Sequence, residues 1–228
     1  AVHQNIEKLR SNNTFTVTTG HQLGLFTGPL YFVYKIISTI NLAESLSKQH
    51  PDAAFVPVFW MASEDHDFEE INHAHVFGKT LQWEAPHPGG VGRMNAKETS
   101  AALEELAELA GDREFAIELL ELFRSAYLEE KDLAAATRKI VHTFFGKYGL
   151  VVIDGDDAKL KAKMHDAFKD ELLQNSSFKA ISKTNSELEK GYKLQVNPRE
   201  INLFYLDEGI RNRIVREGDR FSVLTNGE

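Results

Sequence analysis

Two strand-like blocks separated by a helix-period block constrain the amino-terminal third of the chain more than any other feature. TFTVTT (residues 14–19) is rich in β-branched residues, and AFVPVFWMAS (54–63) is an almost unbroken apolar run. Between them, from about Leu30 to His50, Tyr31, Val33, Tyr34, Ile37, Ile40 and Leu42 recur largely on one side of a helix. Pro29 suits the first turn of that helix, and Pro51-Asp52 ends it. Both strands are expected to be buried on two faces, which implies a parallel sheet with helices on either side. The unit reads as βαβ with a right-handed crossover.

The remainder extends this pattern. Residues 1–10 read as the tail of a helix, EDHDFEEINH (64–73) as a short helix or turn, and AHVFGKTLQWEA (74–85) as one or two strands. PHPGGVGRMN (86–95) reads as a flexible loop. Residues 96–147 have helical periodicity, broken near Gly111-Asp112 and Lys131-Asp132. GLVVIDGDD (149–157) reads as a third buried strand ending in acids, and 158–190 as helical. GYKLQVNP, INLFYLDEG, IRNRIVREGD and FSVL then read as a meander of short strands. The expected class is α/β with three parts. The first is a core over 1–85, the second a helical insertion over 86–147, and the third a return to the core plus a β-meander over 148–228.

Composition excludes some functions. The net charge of −8 disfavours nucleic acid, whose phosphates require a basic surface. No apolar run approaches the ~20 residues a membrane span needs. The chain has no cysteine, hence no disulfide, thiolate zinc site or thiol nucleophile, which fits a cytoplasmic location. It begins with Ala1 and stops soon after an apparent strand, so a piece of a longer protein is expected.

The stretch TTGHQLGLFTGPLYFVYK places Gly20, Gly24 and Gly28 between the first strand and its helix. Such a loop lies at the carboxyl edge of a parallel sheet, where open α/β folds bind ligands. Glycines allow close backbone approach, and amides at residues 27–31 would offer an anion site. The spacing matches neither G-x-G-x-x-G nor G-x-x-x-x-G-K-[ST], so a plain turn stays open as an alternative. His21 reads as a hydrogen-bond donor or acid–base group, or as a loop cap.

Glu64, Asp65, His66 and Asp67 follow the second strand on the same edge. Two polar clusters on one edge mark a candidate active site in which acids hold an ammonium group. The competing reading is an N-capping run through Ser63 and Asp65. Asp154 ends the third strand as either a ligand contact or a cap. Arg199, Arg211 and Arg213 are either a carboxylate clamp or a solvated strand face. His66, His73 and His75 offer metal ligands without matching a zinc signature. The aromatic and leucine stripes over 103–145 read as core packing.

TTGHQLGLFTGPLYFVYK followed by VPVFWMASEDHDFEEINH resembles the bacillithiol biosynthesis cysteine-adding enzymes, the BshC family of cysteine ligases. YGLVVIDGDD and QVNPREINLFYLDEGIRNRI resemble later blocks of that family, in the right order. The resemblance covers essentially the whole chain as an amino-terminal half. It implies a Rossmann-like core related to class I aminoacyl-tRNA synthetases, and a homodimer formed through a coiled coil outside this chain. It also implies addition of L-cysteine to glucosaminyl-malate, with ATP activating the cysteine carboxylate and no metal. Synthetases of that class carry H-I-G-H where this chain reads GHQLG, so hydrogen bonding is the role assigned to His21.

The expected catalytic residues are His21, Asp65, His66 and Asp67. The expected substrate- or nucleotide-binding residues are Gly20, Gln22, Gly24, Thr27, Gly28, Tyr31, Lys35, Trp60, Glu64 and Asp154. The alternatives are a metal-dependent amino-sugar hydrolase or deacetylase built on His66, His73 and His75, and an inactive synthetase-like scaffold.

Overall fold

The computed structural model describes residues 1–85, 89–207 and 210–224. The chain divides into two compact units, 1–156 and 157–228.

In the first unit, helix α1 (Val2–Lys8) leads into strand β1 (Thr14–His21), helix α2 (Tyr31–Gln49) and strand β2 (Ala54–Met61). A short helix α3 (Phe68–Ile71) and an antiparallel hairpin, β3 (His73–Val76) with β4 (Lys79–Gln82), follow. Helices α4 (Ser100–Ala110), α5 (Ala116–Glu129) and α6 (Leu133–Phe145) break where the sequence breaks its period, and β5 (Val151–Asp154) returns to the sheet. The order is β1-β2-β5 with both pairings parallel, so the α/β reading holds.

Burial on both faces holds only for the middle strand. Val56, Val58, Phe59 and Met61 of β2 are essentially inaccessible, whereas Phe15 on β1 is 53% exposed and β5 buries only Val151 fully. A strand at the end of a sheet lacks one neighbour, and the threonines of β1 suit a face left to water. On one side of β2, Phe59 and Met61 join Phe32 and Ile36 of α2 and the side chains of α4–α6 in one core. On the other, Val56, Val58 and Val151 form a smaller cluster with Val2 and Ile153 packed against it. Each buried Phe, Ile or Leu contributes roughly 1.5–3 kcal/mol.

The loop expected to be flexible over 86–95 is not so where it is described; Pro86, His87 and Pro88 lie outside the described residues. Gly89–Gly92 are buried and continue into a 3₁₀ turn at Val91–Arg93. The Val91 and Gly92 amides bond the chain just beyond β2, and a Cβ on Gly90 or Gly92 would press on the Ser63 backbone, so glycines stand there to permit contact, not mobility.

The second unit contains α7 (Ala158–Ala162), α8 (His165–Gln174), α9 (Ser176–Leu188) and an antiparallel sheet β6 (Phe204–Asp207), β7 (Ile210–Glu217), β8 (Arg220–Val223). Glu208 and Gly209, part of the expected INLFYLDEG strand, lie outside the described residues. GYKLQVNP forms no strand. Tyr192 and Val196 stay exposed there, and the Val196 carbonyl accepts from the Asn185 side chain rather than from a strand partner. Glu171 is buried and accepts from the backbone amides of Ser177 and Asn202, which hold its carboxyl below the usual range against the opposing effect of burial.

Candidate active site at the carboxyl edge of the sheet

The three parallel strands end level: His21 pairs with Met61, and Met61 with Asp154. The exits are tied together, because the Ala62 amide donates to the His21 carbonyl and the Gly155 amide to the Met61 carbonyl, each at 3.0 Å. The polar clusters that follow β1, β2 and β5 are therefore neighbours.

The β1–α2 loop is a tight, strained turn. Phe26, Thr27 and Gly28 have φ of 53°, 76° and 66°, three successive left-handed residues. A Cβ on Gly24 would sit 2.9 Å from the Cα of Gly28, so these two glycines are required by the turn's own closure. The amides of Thr27 and Gly28 donate to the Gly24 and Leu25 carbonyls, at 3.1 and 2.8 Å. Pro29 has no amide hydrogen, and the Phe32 and Val33 amides are bonded to Pro29 and Leu30. The expected anion site over residues 27–31 thus narrows to the Leu30 and Tyr31 amides, at the exposed start of a 19-residue helix. Lys35, one turn further on, donates to the Gly20 carbonyl and brings its charge to the end of β1.

His21 is half-buried against the rings of Tyr31 and Phe32, with centroids 5.1 and 5.4 Å away. Its Nδ1 lies 3.0 Å from the Gln22 carbonyl, so that nitrogen carries the proton and Nε2 keeps a lone pair. Burial pushes its pKa below 6.5 and Lys35 adds to this, while the Gln22 carbonyl and Glu70 oppose it. The ring is neutral at neutral pH.

Gln22 joins the two clusters. Its Nε2 donates to Asp65 Oδ2 at 3.0 Å and to Glu70. Asp65 Oδ1 accepts from the His66 amide at 2.7 Å and lies 3.4 Å from His66 Nδ1. Asp67 is exposed at the start of α3 and makes no side-chain cap. Glu64 folds toward Gly155, with Oε2 buried and without a hydrogen-bond partner; a Cβ on Gly155 would collide with it. Trp60 is 41% exposed and sits beside Gly20 across the sheet. Asp154 accepts from Ser63 Oγ, from the Asp156 amide at 3.0 Å and from Arg138 at 3.4 Å, so its carboxylate is tied into the strand exits.

A glycine strap braces this edge. The Val91 amide donates to the Asp65 carbonyl at 2.7 Å and the Gly92 amide to the Ser63 carbonyl at 2.8 Å. Arg93 then grips Asp156 with two bonds, at 2.6 and 3.1 Å. The strap, Glu70, Arg93 and Arg138 are absent from the sequence-based site. The closely spaced glycines of GGVG were the available signal, since such a run marks close backbone approach as well as looseness.

The metal reading gains no centre. Among the described residues no three or more His, Asp or Glu side chains gather as a ligand set. The His73 and His75 rings do share a face, 5.3 Å apart, but bond to Asn72 and Thr80. In the second unit Arg211 stacks over Phe204 at 4.0 Å, as a partly covered strand residue. No helix among the described residues is long and apolar enough to cross a membrane.

Residues 1–227 match the family described as bacillithiol biosynthesis BshC, N-terminal Rossmann-like domain. The chain belongs to the BshC family. Similar relatives carry the name "Putative cysteine ligase BshC". The protein of Cytophaga hutchinsonii is 47% identical over 224 residues, covering 98% of this chain and 41% of the relative. That of Flavobacterium johnsoniae is 49% identical over 220 residues, covering 96% and 41%. That of Salinibacter ruber is 37% identical over 215 residues, covering 90% and 39%. The chain therefore spans about two-fifths of the length of these curated relatives. The BshC likeness read from the opening loop and the SEDHDF segment is borne out, as is the Rossmann-like core.

Proposed function

We propose that this domain serves a cytoplasmic ligase that joins L-cysteine to the amine of glucosaminyl-malate, completing bacillithiol. The observation that carries the reading is the Gln22–Asp65 bond. It brings the glycine loop and the SEDHDF segment, the two stretches on which the family likeness rests, into one polar site. The names of the relatives support a cysteine ligase. The longer protein is proposed to form a homodimer through a coiled coil outside this chain.

The chain's own groups suit this chemistry. Asp65 and Glu70, joined by Gln22, form an acidic surface that attracts and orients the sugar's ammonium group, with Asp67 and His66 exposed beside it. The neutral His21 offers Nε2 as acceptor to an amine N–H. The Leu30 and Tyr31 amides and Lys35 suit an anion, and they are the groups that would hold the phosphates of ATP. ATP, when bound, would supply activation of the cysteine carboxylate. Trp60 and Glu64 border the same edge as substrate contacts.

The test is product formation by mass spectrometry with the full-length protein, L-cysteine and glucosaminyl-malate, with and without ATP, and with Asp65→Asn alongside. A bacillithiol mass that requires ATP and falls strongly in the variant is expected. Product without ATP would remove the activation step and leave the ligase. No product from folded protein would overturn the reading in favour of an inactive scaffold.

A further inference from the structure

The helical segment contributes one atom to the loop between β1 and α2. Tyr127 of α5 is 1% exposed, and its hydroxyl oxygen accepts from the Phe26 amide at 2.9 Å across 101 residues of sequence. Phe26 begins the run of three left-handed residues, so its peptide plane sets the direction of the whole turn. Its ring packs on the same helix, 5.3 Å from Phe123 and edge-on to Tyr127 at 5.7 Å. Leu23 and Leu25, on either side of Gly24, are fully buried. The loop is thus fastened to α5 at its middle, while its two ends carry Gln22 and the unbonded Leu30 and Tyr31 amides.

We infer that Tyr127 is a positioning residue: its hydroxyl fixes the strained Phe26–Gly28 turn and, through it, holds Gln22 and the start of α2 in register with the acidic cluster. Two independent features support this. A left-handed run that includes Phe and Thr is costly and persists only when its surroundings over-determine it. A backbone amide inside a core must also find an acceptor, and this one finds a side chain from another element rather than its own loop. Burial keeps the hydroxyl protonated far above neutral pH, so the bond is present throughout the working range. The inference rests on the proposed ligase for its activity readout only.

The experiment has two arms. Amide hydrogen exchange in the unsubstituted full-length protein measures whether Phe26 is protected; rapid exchange at that amide would overturn the inference by itself. In the full-length protein, Tyr127→Phe removes one oxygen and keeps the ring. It is expected to release Phe26 exchange and lower kcat/KM by roughly 10- to 100-fold, as a small misplacement of binding groups does. Ile140→Val, buried in α6, is the control for lost stability alone and is expected to leave kcat/KM and Phe26 exchange unchanged. Equal kcat/KM in Tyr127→Phe and Ile140→Val, at similar melting temperatures, would reduce Tyr127 to packing. An inactive unsubstituted protein would sink the ligase reading while leaving the exchange result to decide whether Tyr127 holds the Phe26 amide.

Discussion

Replacing Gly92 by alanine tests whether the buried strap braces the acidic edge. Gly92 does not occupy the left-handed region, so the backbone accepts alanine, and loss of unfolded-state freedom alone would stabilise by about 0.4–1 kcal/mol. The added Cβ, however, would lie 2.5 Å from Ser63 Cβ, 2.9 Å from the Ser63 carbonyl oxygen and 3.0 Å from Ser63 Cα. Two of those three atoms are backbone, held by the bonds from Val91 and Gly92, so the clash cannot be relieved by turning a side chain. Overpacking costs about 1–3 kcal/mol, and contacts of 3.0 Å or less against backbone put this one in the upper part, about 2–3 kcal/mol, which leaves a net destabilisation of roughly 1–2.5 kcal/mol. For a unit of this size that is a fall in Tm of about 2–10 °C. Gly191→Ala is the matched control. Nothing lies within 4 Å of its Cβ and its φ is not left-handed, so it should be neutral or stabilising. Calorimetry on the chain gives both numbers. Because Ser63 and Asp65 must move, Gly92→Ala should also weaken turnover in the full-length protein. A Gly92→Ala protein with unchanged Tm and turnover would refute the close-contact argument.

Other outcomes follow from the same geometry. The folded pKa of His21 lies below its unfolded value of about 6.5, so between the two the unfolded chain binds more protons; stability is complete above that pH and declines as the pH falls through the window. His21→Gln should flatten this part of the Tm–pH curve, and an identical slope in both proteins would contradict the burial of the ring. Ser63→Ala removes a 1%-exposed hydroxyl that donates to Asp154 and accepts from the Asp156 amide. It should cost about 1–3 kcal/mol in denaturant unfolding, and a change under about 0.5 kcal/mol would mean the contact is replaceable. Gly24→Ala should destabilise and disturb the β1–α2 loop, because its Cβ meets Gly28 Cα at 2.9 Å; an unchanged melting curve would show that the turn has slack.

Local signals made the framework legible. The apolar run AFVPVFWMAS read as a buried strand and forms one over Ala54–Met61, and the 3.6-residue period of 30–50 produced α2 within a residue at each end. Convergence of His21 with Asp65 followed from parallel topology alone, since two parallel strands must end on one edge. What stayed hidden depended on contacts between distant segments. The amides of Thr27 and Gly28 read as free until the turn closed on itself. Asp154 read as a ligand contact or a cap until Ser63 and Arg138 were seen to hold it. Tyr127 read as core, and its ring is core; only the position of one oxygen separates packing from placement. GYKLQVNP alternates like a strand, but a strand needs a partner, and a sequence pattern cannot supply one.

The level ending of the three strands also limits where the chain can change length. At the opposite edge, the turn at 11–13 and the corner at 50–52 are exposed, and Asn13 bridges them by donating to the Asp52 carbonyl. Residues added there lengthen a loop and leave every pairing from Thr14–Ala54 to His21–Met61 intact. One residue added inside β1 would shift His21 by one step and turn it to the other face of the sheet, away from Tyr31 and Phe32. Insertions and deletions should therefore be absorbed at the Asn13 end of the sheet, while the strands themselves keep a fixed count of residues to the His21 end.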